Sequence, residues 1–250
     1  MNHTLKQAAK VALVTGGGRR IGAAVVETLH GAGFKVAIHC RHAWREAEAI
    51  ADALNHQRPD SALVLPKELT ETSAAPELIQ AVFKWTARLD LLVNNASIFT
   101  RTDCNALDTS TWDELFNINV KAPFLLSLAA RALLAKQQGS IINITDIHAE
   151  KPLKDYAVYC QTKAALEMQT KALAREFAPE IRVNAVAPGA IAWPEEANSL
   201  STLAQQKIIA KTPLQRHGSP EFIAQAVLAL VENPFITGQI IRVDGGRSIS

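Results

Sequence analysis

The sequence predicts an α/β domain built on a doubly wound parallel sheet of about seven strands. Short apolar runs alternate along the chain with longer stretches of helical periodicity, as they do in strand–helix units wound into one sheet. The short runs are nearly continuous in Val, Ile and Leu rather than alternating. Strands read that way when helices cover both faces of the sheet. At 250 residues, 48% of them apolar, the chain can bury a large core. Length alone fits one large or two small domains. No internal repeat or low-complexity linker divides residues 1–250, and they read as one domain.

In chain order the expected strands are Val11–Val14, Lys35–His39, Ala62–Leu65, Leu91–Val93, Ser140–Ile144, Arg182–Val186 and Gln239–Val243. Helices are expected over Ile21–Leu29, Trp44–Leu54, Ala75–Thr86, Leu125–Ala135, Thr162–Phe177 and Phe222–Val231. In such sheets ligands bind beyond the carboxyl ends of the strands, so the residues following each strand carry the functional signal. The least regular stretch is Pro188–Leu200, with Gly189, Pro194 and Glu195-Glu196. A loop of this length is often a substrate lid; a plain surface excursion is the other reading.

The net charge of +2 gives no strong reason to expect nucleic acid or a membrane surface as partner. The longest apolar runs are broken by charge before a bilayer-spanning length of about 20 residues. Met1–Lys10 is largely polar and only the short run Val11–Thr15 follows, which does not suit a secretory signal. A soluble, cytoplasmic protein is expected. Cys40, Cys104 and Cys160 are widely spaced, an odd count without CxxC, and are expected to be ordinary buried or half-buried thiols. His39 and His42 stand three apart, but no further ligand pattern follows, and no metal is expected.

Strand, glycine turn and helix start are contiguous in Val11-Ala-Leu-Val-Thr-Gly-Gly-Gly-Arg-Arg-Ile-Gly22. Glycines allow the backbone close to a pyrophosphate, and the helix N-terminus offers free N–H groups and a positive dipole end. An NAD site usually carries an acid about 20 residues on, bonded to the ribose 2′-hydroxyl. No acid occurs between Gly31 and Arg45; Arg41 and His42 stand there instead, with Arg19 and Arg20 in the turn. Guanidinium pairs well with phosphate, so the expected cofactor is NADP. Further along, Tyr159 precedes Lys163 by four residues, which places both on one helix face. An ammonium beside a phenol is expected to lower its pKa and fit it for proton transfer.

The order of these features resembles the short-chain dehydrogenase/reductase superfamily over nearly the whole chain. Thr15-Gly16 with Gly22, Asn94-Asn95-Ala96, Asn119 in Asn117-Ile-Asn119, Tyr159 with Lys163, Pro188-Gly189 and Val243-Asp-Gly-Gly246 match its signatures. The resemblance implies a Rossmann-like fold. It also implies that Tyr159 is the general acid, that Lys163 tunes it and holds the nicotinamide ribose, and that Asn119 supports the lysine through water. Gly16, Arg19, Arg20, Ile21, Gly22, Arg41, His42, Leu69, Asn95, Ala96, Ser97, Tyr159, Lys163, Pro188 and Gly189 are the implied cofactor residues. Homotetramers are common among similar proteins, and one is expected here.

Two positions depart from the superfamily pattern. Arg20 stands where most members have glycine, and Asp146 stands where most have a serine thirteen residues before the tyrosine. A serine hydroxyl donates to a carbonyl oxygen that becomes negative as hydride arrives; an ionised Asp only accepts and would repel it. Asp suits a substrate rich in N–H donors, or one reduced at C=N. It could also cap the segment that follows. The neighbouring Thr145 could stand in for the serine, though its hydroxyl is expected to point away.

Both departures, with Asn94-Asn-Ala-Ser-Ile-Phe99, resemble the pteridine reductases and the similar dihydromonapterin reductases. That resemblance implies a catalytic set of Asp146, Tyr159, Lys163 and Asn119. It also implies a pterin or folate substrate held by Arg20, Ser97, Phe99, Asp146 and Tyr159, with Phe99 stacking the pterin against the nicotinamide. The run His39-Cys-Arg-His42 does not match that branch at the 2′-phosphate. A carbonyl reductase and a catalytically idle NADP-binding sensor are the other two readings.

Overall fold

The computed structural model describes residues 9–193 and 200–250. Seven strands pair in parallel: β1 (Val11–Val14), β2 (Lys35–Cys40), β3 (Ala62–Pro66), β4 (Leu91–Asn94), β5 (Ser140–Ile144), β6 (Arg182–Pro188) and β7 (Ile240–Val243). Their order is β3-β2-β1-β4-β5-β6-β7. Winding runs outward from β1 through β2 to β3 and then reverses, so β1 and β4 flank the switch point where such sheets open a crevice. There Val14 pairs with Val93, which puts the two following turns side by side.

Among the described residues the α-helices are α1 (Arg20–Gly31), α2 (Trp44–Gln57), α3 (Ala74–Thr86), α4 (Thr109–Phe116), α5 (Ala122–Ala135), α6 (Ala157–Glu176), α7 (Thr202–Ala210) and α8 (Pro220–Glu232). Continuous strand apolarity has the expected cause, a core on each face. Alternate residues of β1 divide between them. Ala12 and Val14 pack with Val25 and Leu29 of α1 and Val227 of α8, while Val11 and Leu13 pack with Leu78 of α3, Leu126 of α5 and Leu173 of α6.

The structure corrects the sequence reading at three places. The stretch read as beginning at Leu125 is one helical run, Thr109–Ala135, in which a five-residue π-turn, Asn117–Lys121, joins α4 to α5. That run of 27 residues is long and apolar enough to cross a membrane, its most apolar stretch having a mean hydropathy of 1.4. However, 44% of its most apolar window is buried inside the domain. Next, α6 starts at Ala157 rather than Thr162, so Tyr159 and Lys163 both lie within it. Finally, the region after β6 contains α7; residues 194–199 of the expected lid lie outside the described residues.

Candidate active site

The glycine turn is held in place by backbone geometry. Gly16 has φ +62°, and a side chain at Gly22 would put its Cβ 2.1 Å from the Gly16 carbonyl oxygen. α1 begins directly after the turn, and its N-cap residue Arg19 makes no side-chain capping bond, so the first amides are left to face a ligand. Arg20 adopts φ +53°, a left-handed conformation costing a non-glycine residue roughly 1–2 kcal/mol. Its guanidinium donates to the carbonyls of Ala192 and Trp193, at 2.9 Å each. The resemblance implied contacts to phosphate and pterin; in this structure Arg20 holds the start of the loop after β6.

The turn after β4 braces the glycine turn. The Thr15 hydroxyl accepts from Asn95 N (2.9 Å) and Ala96 N (3.0 Å), and the Asn95 amide donates to the Thr15 and Gly16 carbonyls. His39, weighed in the sequence as a metal ligand and in the run at the 2′-phosphate, lies buried below. Gly16 N donates to its Nδ1 at 3.2 Å, so its Nε2 carries the proton and donates to the Lys67 carbonyl at 3.0 Å. Burial pushes the His39 pKa down, favouring this neutral form.

At the far end of the cleft Arg41 and His42 are exposed at the end of β2. Arg41 pairs with Glu68 at 3.4 Å, and Arg19 pairs with Glu46. Both acids lie outside the window that the sequence reading searched for a ribose-binding carboxylate.

The contacts around Tyr159 and Lys163 begin at Asp146, just after β5. Its Oδ1 accepts from His148 N at 2.8 Å and caps the short 3-10 turn Ile147–Ala149, while its Oδ2 accepts the Tyr159 hydroxyl at 2.8 Å. Asp146 therefore caps the segment that follows and also meets the Tyr159 hydroxyl. Thr145 points away as expected, its hydroxyl donating to the Val186 carbonyl at 3.3 Å. The Lys163 ammonium is buried, donates to the Ile144 carbonyl at 3.1 Å and lies 5.6 Å from the centre of the Tyr159 ring. Burial lowers its pKa to about 8.

Tyr159 corrects the expectation of a lowered phenol pKa. Burial, followed by the Asp146 charge, raises it well above the ordinary value. The lysine beside the ring does not offset them, and Tyr159 is held as a protonated donor. Asn119 is held between the segment after β4 and α6. Its amide Oδ1 accepts from Ile98 N (2.9 Å) and Ser97 Oγ (3.1 Å), and its Nδ2 donates to Ile98 O (3.0 Å) and Thr162 Oγ1 (3.1 Å). It fixes the segment after β4.

Phe99 stacks on Tyr156 at 4.2 Å and meets Tyr159 edge-on at 4.7 Å, so one of its faces is taken by a side chain that sequence reasoning passed over. Tyr156 sits three residues before Tyr159, a helical spacing that could have flagged it. Arg101, Trp193 and Arg247 were missed too. All the predicted site residues except Asn119 line one cleft of about 810 Å³, including Ile21, Leu69, Ala96, Ser97, Pro188 and Gly189. That lies at the upper end of ordinary small-molecule sites, roughly 300–1,000 Å³. Of the cysteines, Cys40 is buried and Cys160 half-buried, but Cys104 is exposed, contrary to expectation.

Residues 17–248 match the family model described as enoyl-(acyl carrier protein) reductase. The chain is 32% identical over 289 residues to pteridine reductase 1 of Leishmania tarentolae, covering 99% of each. It is 34% identical over 246 residues to a 3-oxoacyl-[acyl-carrier-protein] reductase, FabG, of Aquifex aeolicus, covering 97% of this chain and 98% of that one. Among solved structures, FolM alternative dihydrofolate reductase 1 from Brucella suis in complex with NADP superposes with a TM-score of 0.89. It has 37% identity and 96% of each chain is covered.

Proposed function

The chain belongs to the short-chain dehydrogenase/reductase superfamily, and within it we propose that it is an NADPH-dependent pteridine reductase acting at a ring C=N of a dihydropterin or dihydrofolate. The observation that carries this reading is the hydrogen bond from the Tyr159 hydroxyl to Asp146. An acceptor stands where a ketone reductase needs a donor for its developing oxyanion.

The residues present fit NADP(H). The turn Gly16–Gly22 leaves room only for backbone beside a pyrophosphate, and the N-terminus of α1 has neither a capping side chain nor an acid in its first turn. Arg41 and Arg19 supply positive charge for the 2′-phosphate, with His42 as a further polar group beside them, and Leu69, Asn95, Ala96, Pro188 and Gly189 line the rest of the cofactor's path. When bound, the cofactor supplies hydride. Asp146 accepts N–H bonds from the pterin and holds the Tyr159 proton at the phenol oxygen until the substrate nitrogen takes it. Lys163, an ammonium below about pH 8, stabilises the phenolate left behind. Phe99 and Ser97 flank the substrate ring, and Asn119 positions them.

The test is NADPH oxidation with dihydrobiopterin, dihydromonapterin, dihydrofolate and simple ketones side by side. Turnover on the pterins alone is expected. A second reading, a carbonyl or 3-oxoacyl reductase, is favoured by the likeness to FabG and predicts turnover on ketones alone. Assembly as a cytoplasmic homotetramer belongs to the same proposal; the exposed Phe124 and Leu128 of α5 and Met168 of α6 supply apolar surface for it.

A further inference from the structure

Arg247 stands at the C-terminal end of the chain, in a 3-10 turn that follows β7, and it lines the same cleft as Asp146 and Tyr159. Its backbone is tied down. Its N–H donates to the Asp244 carbonyl at 3.2 Å, and its own carbonyl accepts from Lys151 Nζ at 2.8 Å. Its side chain is not. Among the described residues the guanidinium makes one hydrogen bond, at 3.3 Å to the Ile208 carbonyl, and has no carboxylate at ion-pair distance. Arg19, Arg41, Arg88 and Arg242 each have one.

Burial pushes the Arg247 pKa down, with Asp146 and Asp244 opposing from farther away. A half-buried cation that gives up water without a fixed counter-charge is costly unless a ligand supplies the anion. The phosphate-binding end of the cleft has its own cations in Arg19 and Arg41. Arg247 lies instead beside Ile208, whose carbonyl it meets at 3.3 Å, and within reach of the Asp146 charge, on the side where the part of a substrate beyond its reacting ring would extend.

We propose that Arg247 is a specificity residue that binds a carboxylate carried on an extension of the substrate, so that the protein favours pterins with an acidic tail over pterins with an uncharged one. The planar fork of a guanidinium matches a carboxylate in two parallel bonds. This inference rests on the pteridine reductase reading.

The experiment compares kcat/KM for dihydrofolate, whose tail carries carboxylates, with that for dihydrobiopterin, whose tail carries none. It uses saturating NADPH with the unmodified protein, Arg247→Met and Arg247→Lys. In Arg247→Met the dihydrofolate-to-dihydrobiopterin ratio is expected to fall at least tenfold, through the KM for dihydrofolate, and Arg247→Lys is expected to restore part of it. An unchanged ratio overturns the inference. So does an equal loss on both substrates, which would mean that Arg247 acts through Asp146. Failure of the unmodified protein to reduce either pterin would sink the pteridine reductase reading itself, and this inference with it.

Discussion

Replacing Lys163 by methionine should stabilise the fold while abolishing catalysis. The ammonium is 2% exposed and has a single hydrogen bond, to the Ile144 carbonyl. Burial lowers its pKa from 10.5 to about 8. At about 1.4 kcal/mol per pH unit, that displacement sets about 3 kcal/mol against the folded state at pH 7. The sign follows from proton counting. Between about pH 8 and 10.5 the unfolded chain binds the proton that the folded chain has released, so stability rises with pH through that window. Methionine removes the buried charge and forfeits one hydrogen bond worth about 1 kcal/mol, leaving a net gain of about 2 kcal/mol at pH 7. Urea unfolding of the cofactor-free proteins at pH 7, 8.5 and 10 measures the difference. The methionine variant should lead at pH 7 and lose about 2 kcal/mol of that lead by pH 10. A lead that stays constant across the three pH values would refute the argument, because it would show that Lys163 is not a depressed, charge-bearing group.

Asp146→Ala should lower kcat/KM for a dihydropterin by 10²-fold or more, the scale of losing a positioned acid–base group, with NADPH affinity nearly unchanged. Tryptophan fluorescence quenching by NADPH checks the second half; lost binding would contradict the assignment. Arg41→Ala should weaken NADPH roughly tenfold or more, as loss of a charged hydrogen bond of about 1.5–3 kcal/mol requires, and NADH far less. Equal weakening would remove Arg41 from the phosphate site. Gly22→Ala would force a methyl to 2.1 Å from the Gly16 carbonyl, so the glycine turn must open. NADPH affinity should fall at least tenfold by titration, and an unchanged Kd would mean the turn does not carry the pyrophosphate.

Much of this molecule was legible in its sequence. β1 and β5 have the bounds that continuous apolarity implied, and the turn after β1 sits at the sheet's switch point. The elements missed share a physical cause. α7 buries none of its residues and α4 buries only Leu115, so neither carries the apolar stripe from which a helix is read. The π-turn at Asn117–Lys121 has no periodic signature of its own. Within the site, spacing paired Tyr159 with Lys163, but it was the resemblance to the short-chain dehydrogenase/reductases that singled out that pair and Asp146. Arg41 with Glu68 and Arg19 with Glu46, each 27 residues apart, become partners only when strands and helices bring them together. The protonation of Tyr159 could not be read either, since burial and Asp146 outweigh the nearby lysine.

One arginine joins two parts of the cleft that are 172 residues apart in the chain. Arg20 opens α1 at the glycine turn, and its guanidinium holds the carbonyls of Ala192 and Trp193. Any ligand that recruits that guanidinium takes it from the loop, and any ligand that reshapes the loop changes what the guanidinium can offer. Such coupling is reciprocal by thermodynamic necessity: the factor by which a bound dinucleotide alters affinity for the second ligand equals the factor by which the second ligand alters affinity for the dinucleotide. A single residue with a strained backbone thereby gives the cleft a means for binding order and cooperativity without any movement of the sheet.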